Sequence, residues 1–320
     1  MWQVVDDTTP EAWDDLLASS GGHPLQSALW GEARAEAEAT QSERLLVRHE
    51  GRPVLLARVE MRRHRLAGKI AWLPQGPVCV DAQAASDAHV RLMAELKARG
   101  YQLCFENPYA AEPGYRAHGV PIGGTAQTIV ADLSVGEDAL WKRLSANWRN
   151  NIRATERMGV CVSEAHDAER VRQFVAACER LSDTKGFRYQ GSEPLVARLL
   201  RGTNARGVHA TLYCATLADR LQGGLLVMVV GATMQNIFSA AVRGEHSSSR
   251  LLYWTAMKAA VNAKVTRYDL GGIDPIANPG GYEFKRQIKG ELVTIPPVGG
   301  SALTARGSAA LIAARALRRF

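Results

Sequence analysis

Apolar and polar positions along this chain follow two periods that change places repeatedly. Apolar residues at helical spacing predict helices over 10–18 and 27–38. Alternating runs over 43–49 and 52–61, joined at Glu50-Gly51-Arg52, predict a hairpin. A strand over 69–73 runs into Leu73-Pro74-Gln75-Gly76-Pro77. A helix over 86–99 ends at Gly100, and a strand from Gln102 to Glu106 stops at Asn107-Pro108. One more strand is predicted over 126–132. The second half opens with helices over 136–143 and 146–158, a strand over 160–165, and helices over 167–183 and 193–201. Strands over 208–216 and 221–230 then flank Ala218-Asp219-Arg220. A strand over 233–241, a helix over 249–263 and a strand over 265–270 come next.

The order hairpin, strand, helix, strand thus occurs twice. Arg52 and Arg220 correspond at an offset of 168, and Met93 with Met257 and Phe105 with Asp269 at 164. An offset near half the chain length is the mark of a duplicated unit. The expected fold class is mixed α/β (α+β), with two similar domains over 1–135 and 136–299. A final Ala-rich helix over 302–318, within a segment 300–320, is expected to pack back on the first domain.

Composition narrows the class. With 46% hydrophobic and 22% charged residues, the chain is neither disordered, nor collagen-like, nor a coiled-coil rod. The net charge of +7 is local. Residues 141–158 carry +4 through Lys142, Arg143, Arg149, Arg153 and Arg157 against Glu156, and residues 301–320 carry another +4. Leu140, Leu144, Trp148 and Ile152 form an i+4 apolar stripe, and Arg149, Arg153 and Arg157 form the row beside it. Such a row suits nucleic-acid phosphates, or is an ordinary solvated face. Five cysteines (79, 104, 161, 178 and 214) form no Cys-x-x-Cys pair, so buried thiols in a reducing cytoplasm are expected. The longest apolar run, near 224–232, is too short to span a bilayer, and the first residues lack a basic, apolar leader pattern. No Ser/His/Asp order is evident, no metal site is expected, and the eight histidines scatter.

The densest chemistry lies near the end of the second repeat. A strand ends in Tyr268-Asp269-Leu270-Gly271-Gly272-Ile273, and Gly280-Gly281-Tyr282-Glu283-Phe284-Lys285 comes after a Pro/Gly loop. Gly-Gly lets backbone approach a ligand closely. Lys285 then points a cation into a cleft, or is a solvated lysine. Asp269, at a strand end, binds an incoming ammonium or acts as a weak base; a turn carboxylate is the alternative.

These residues resemble the Fem-type peptidoglycan aminoacyltransferases. The resemblance runs over residues 25–295. It is carried by Gln26-Ser27 with Trp30-Gly31, Leu73-Pro74 with Gly76-Pro77, Asn151-Ile152-Arg153 with Gly159-Val160, the Gly271-Gly272 strand end, Gly281 to Lys285, and Gly290-Glu291. It implies two tandem GNAT-like domains, with aminoacyl-tRNA as co-substrate and neither metal nor cofactor. It also implies an amine acceptor on a peptidoglycan precursor or on a small peptide or nucleoside. Lys285 and Asp269 are then catalytic, with Phe284 packing the lysine or the terminal adenosine, and Gly271, Gly272 and Tyr282 shape the loop. Arg34 stands where the family has a phosphate-binding lysine, with Trp30, Asn107 and Tyr109 at the same expected acceptor site; Asn107-Pro108 replaces the family's Asp-Pro. Lys142, Arg149, Arg153 and Arg157 are the expected tRNA contacts. No long helical-hairpin arm is inserted, so the chain resembles the compact type. The basic C-terminal helix is expected to touch tRNA or, peripherally, a membrane bearing a lipid-linked acceptor; no DNA partner is expected.

Two other classes compete. An acyl-CoA-dependent N-acyltransferase holds pyrophosphate on a glycine-rich turn, whereas Arg243-Gly244-Glu245-His246-Ser247-Ser248-Ser249-Arg250 replaces those glycines with serine and histidine. A non-catalytic RNA-binding protein leaves the Gly-Gly and Phe284-Lys285 segment unexplained.

Overall fold

The computed structural model describes residues 1–109, 118–186, 188–202, 207–242 and 248–316, with the side chains of 314–316 left out. It divides into two compact units. One is Met1–Ala126 with the stretch from Thr294; the other is Gln127–Gly202 with Val208–Val293.

The first unit begins with β1 (Trp2–Val5), α1 (Pro10–Ser19) and α2 (Ala28–Glu38). The strands β2 (Ser42–His49), β3 (Arg52–His64), β4 (Gly68–Leu73) and β5 (Val78–Cys79) come next, then α3 (Ala85–Ala98), β6 (Leu103–Glu106) and β7 (Val120–Ile122). The second unit holds β8 (Ala126–Asp132), α4 (Glu137–Arg143), α5 (Ala146–Arg157), β9 (Cys161–Glu164), α6 (Ala168–Lys185) and α7 (Glu193–Arg201). It continues with β10 (Val208–Leu217), β11 (Arg220–Val230), β12 (Thr233–Ala241), α8 (Ser248–Asn262), β13 (Arg267–Ile273), α9 (Pro279–Arg286) and β14 (Glu291–Ile295). The chain then adds β15 (Val298–Ala302) and α10 (Ala305–Ala316) to the first unit.

The duplication is visible in the sheets. The first has the order β1-β2-β3-β4-β6-β15-β7, with β5 on β3; the second runs β14-β8-β13-β12-β11-β10-β9. Each contains a parallel pair crossed by a helix: β4 with β6 through α3, and β12 with β13 through α8. A parallel pair needs such a crossover, while the antiparallel strands need only turns. The last paired positions, Leu73 with Glu106 and Gln235 with Asp269, put a buried carboxylate at the open end of each pair.

Two expected boundaries move. β8 is expected in the first domain but pairs with β13, Arg267 opposite Asp132, so the first unit ends at Ala126 rather than 135. The chain leaves the second unit before 299 because β15 pairs with β6, Gly299 opposite Glu106. β14 and β15 have no counterpart among the predicted strands. Their sequences, Glu291-Leu292-Val293-Thr294-Ile295 and Val298-Gly299-Gly300-Ser301-Ala302, are each only five residues long, and the second carries two glycines, so neither shows a clear alternation. The last helix begins at Ala305 rather than 302, where Thr304 Oγ1 accepts the Gly307 N–H at 3.2 Å. Arg306 donates to the carbonyls of Leu66 (2.8 Å) and Arg65 (3.2 Å). A Cβ on Gly307 would lie 1.9 Å from the Gln102 carbonyl oxygen, so only glycine fits there.

In the second unit, the predicted stripe of α4 and α5 is the face turned to the core: Leu140, Leu144, Trp148 and Ile152 are all buried. Leu144 ends one helix and Ser145 caps the next, its Oγ accepting the Trp148 N–H at 3.2 Å. In the first unit, buried Gln26 ties two separate motifs together. Its amide donates to Pro74 O (2.7 Å) and Arg58 O (3.2 Å) and accepts from Arg58 N (2.7 Å). Cys104, Cys178 and Cys214 are buried, but Cys161 is exposed at the start of β9 rather than buried as expected. No helix among the described residues is long and apolar enough to cross a membrane.

Candidate active site

β12 and β13 pair over three residues, Thr233–Arg267, Met234–Tyr268 and Gln235–Asp269, and then part although both continue. Backbone groups beyond the last pair need other partners. The Leu270 carbonyl accepts from Asn236 Nδ2 at 3.2 Å. Gly271 takes a φ of +78° at an irregularity in the β13–β8 pairing, a conformation that favours glycine. Its N–H donates to Asp269 Oδ1 at 2.7 Å, and the same oxygen accepts the Thr128 hydroxyl.

This turn leaves two successive carbonyls free, and Lys285 takes both. α9 starts where Asn278 Oδ1 accepts the Gly281 N–H and Pro279 fits the first turn. Near its end, Lys285 Nζ donates to Gly271 O at 3.0 Å and Gly272 O at 2.8 Å. Burial pushes the Lys285 ammonium down to about 8, against the opposing pull of the Asp269 carboxylate. An ammonium has three protons, so one remains for a ligand. Phe284 packs on Trp148 (4.9 Å between ring centres) and edge-on to Tyr253 (5.1 Å). Lys285, Phe284, Tyr253, Ser239, Leu252 and Gly281 line a cavity of about 360 Å³, within the size range of small-molecule sites.

Residues 142–286, which include these side chains, match the family model described as the acetyltransferase (GNAT) domain. No curated protein sequence matches the chain. Among solved structures, FemX is similar over 99% of this chain and 100% of its own, at 14% identity and a TM-score of 0.74. A tandem GNAT protein from the clavulanic acid biosynthesis pathway covers 95% and 99%, at 14% identity and TM-score 0.55. L-PGS from Bacillus licheniformis covers 99% of both chains, at 11% identity and TM-score 0.57. The chain has a tandem GNAT-like fold, similar to that of FemX. The cavity lies in the segment that matches the acetyltransferase (GNAT) domain model.

Within this fold, the expected residues divide. Lys285, Phe284, Gly271, Gly272 and Asp269 gather at one strand end, and Tyr282 packs against the same core. Asp269 is fully buried, so it meets no incoming ammonium; its oxygen is already committed to Thr128 and Gly271. The four expected acceptor residues do not line one cavity. Arg34 pairs with Glu38 at 2.7 Å and lines a recess with Thr40, Gln41 and Arg62. Tyr109 lines a different one with His23 and Gln75. Trp30 is buried, and Asn107 Oδ1 accepts the Gln75 N–H at 2.8 Å.

The basic row divides too. Arg149 bends back to cap α4, donating to Trp141 O (3.4 Å), Lys142 O (3.2 Å) and Leu144 O. It completes a helix terminus instead of facing a phosphate. Arg153, which lies over the Trp141 ring at 5.4 Å, is exposed, as are Arg157 and Lys142. Arg149→Ala is therefore expected to cost about 1–2 kcal/mol of stability, checked by denaturant unfolding. Residues 243–247 of the degraded phosphate turn, and Leu317, Arg318 and Arg319 of the last helix, lie outside the described residues. No group of three or more His, Cys, Asp and Glu among the described residues is arranged to hold a metal.

The sequence pattern alone does not single out Tyr253, Asn236 and Ser239. Tyr253 sits in the apolar segment Leu251-Leu252-Tyr253-Trp254, which reads as core. Asn236 does leave a signal, because Gln235-Asn236 places two adjacent amides between apolar Met234 and Ile237 inside a strand.

Proposed function

We propose that the protein moves an amino acid from aminoacyl-tRNA to an amine and so forms an amide bond. The observation that carries this reading is Lys285, a half-buried ammonium held by the Gly271 and Gly272 carbonyls with a proton to spare at the cavity. The acceptor nitrogen attacks the ester carbonyl carbon. Negative charge then grows on the carbonyl oxygen, and Lys285 donates a hydrogen bond to it. The bond from that carbon to the ribose oxygen breaks; the nitrogen loses a proton and the oxygen gains one. The ester is already activated, so positioning supplies much of the rest.

The resemblance of the Gly271-to-Lys285 segment to the Fem-type enzymes supports tRNA as donor, as do the exposed Lys142, Arg153 and Arg157. The acceptor is an amine on a peptidoglycan precursor or on a small peptide or nucleoside, and charged tRNA places the reaction in the cytoplasm. An acyl-CoA donor is the second reading. It is favoured by the likeness to the clavulanic acid pathway protein, whose description refers to AcCoA.

Incubation with a charged tRNA pool bearing labelled amino acids, plus candidate acceptors, decides between them. RNase-sensitive transfer supports the tRNA reading, and RNase-resistant transfer from acetyl-CoA overturns it. Arg153→Ala and Arg157→Ala should each weaken tRNA binding and flatten its log–log salt dependence by about one, measured by filter binding across salt concentrations. Unchanged slopes would remove this face from the interface.

A further inference from the structure

We infer that Tyr253 donates the proton that the departing oxygen of the acyl donor needs, with Asn236 as the residue that orients it. This rests on the acyl-transfer reading above and adds a second working group to the same cavity. The direction of the phenol is set by hydrogen-bond chemistry. Asn236 reaches both the Leu270 carbonyl oxygen (3.2 Å) and the Tyr253 hydroxyl (2.7 Å) through Nδ2. A backbone carbonyl only accepts, so the amide end facing it must be the NH₂. The same nitrogen then donates to Tyr253 Oη, which acts as acceptor. The phenolic hydrogen is thereby left for another partner. Ser239 Oγ, at 3.4 Å, is a long and weak one, and it lines the cavity with Tyr253.

Two further observations fit a working group rather than a structural one. Asn236 Oδ1 is buried with no hydrogen-bond partner among the described residues, so the amide is held in place at a cost to the fold. Burial also pushes the Tyr253 phenol up to about 12, so it keeps its proton at neutral pH. Phe284 packs edge-on against the ring and fixes its plane. In the step proposed, the bond from the carbonyl carbon to the leaving oxygen breaks, and the electron pair goes to that oxygen. Tyr253 gives the oxygen its proton, and the attacking amine, which must lose one, restores the phenol through solvent.

The test uses the full chain and donors that share one acyl group but differ in leaving group: charged tRNA, a simple alkyl ester, a thioester and a nitrophenyl ester. Tyr253→Phe should lower the rate about 100-fold or more with the basic oxygen leaving groups, and less than about threefold with nitrophenolate, which departs without a proton. Asn236→Leu should show a smaller loss with the same dependence. A misfolded fraction lowers every donor equally, so the ratio between donors is insensitive to folding. An equal loss with all donors, or none, overturns the assignment whether or not tRNA is used. If wild-type protein uses the alkyl ester but not charged tRNA, the tRNA reading falls and the donor ratio still decides Tyr253. Wild-type inactivity toward every donor overturns both.

Discussion

Replacing Lys285 by alanine is expected to lower the transfer rate about 100- to 1000-fold, the usual loss when one oxyanion donor is removed. The pH dependence gives a sharper signature. The native ammonium titrates at about 8, while an ordinary lysine does so at 10.5. If the charged form does the work, the rate falls as pH rises through about 8. Lys285→Arg, which keeps its charge, should lose that falling limb even if its rate is low. Stability moves the other way. Between about 8 and 10.5 the unfolded chain holds a proton that the folded chain has released, so stability rises with pH across that window. Falling rate and rising stability in one pH range, read from initial rates and denaturant midpoints, would tie both to this one half-buried lysine. A rate for the alanine variant within about threefold of wild type would remove Lys285 from its assigned role.

How much of this the sequence discloses depends on the distance over which each feature is encoded. The i+4 stripe ending at Trp148 and Ile152 is local, and the helix and its buried face come from it directly. The duplication is legible because hairpin, strand, helix and strand recur in order, and the paired sheets reproduce it. Side-chain purpose is harder to read. Arg149 and Arg153 occupy equivalent positions in a basic row, yet the end of α4 captures Arg149 and leaves Arg153 in solvent. Nothing in the i+4 pattern separates them, because the carbonyls that decide the matter belong to a preceding helix. The Gly-Gly motif points to the right strand end, but the parting of β12 and β13 leaves no mark in it. Tyr253 therefore reads as core, because its polar partner Asn236 lies on another element. Strand β8 goes to the wrong domain for the same reason: its partner, β13, lies far along the chain.

Asp269 gives the second large effect, and its two substitutions separate charge from shape. The carboxylate is fully buried and accepts the Gly271 N–H and the Thr128 hydroxyl, and its charge holds a proton on Lys285. Asp269→Ala leaves two donors unsatisfied, at about 1–3 kcal/mol each, so a loss of about 2–6 kcal/mol is expected in denaturant unfolding. It also frees the left-handed turn at Gly271 that aims two carbonyls at Lys285, so activity should fall with stability. Asp269→Asn is the informative partner. Its amide oxygen still accepts from Gly271, so most of the stability should remain. The charge is gone, so Lys285 should give up its proton more easily and the falling limb of the rate should move below pH 8. A limb that stays put in the Asn variant would mean that Asp269 only shapes the turn. A limb that moves would make this buried carboxylate the group that keeps Lys285 charged at neutral pH, where an oxyanion needs it.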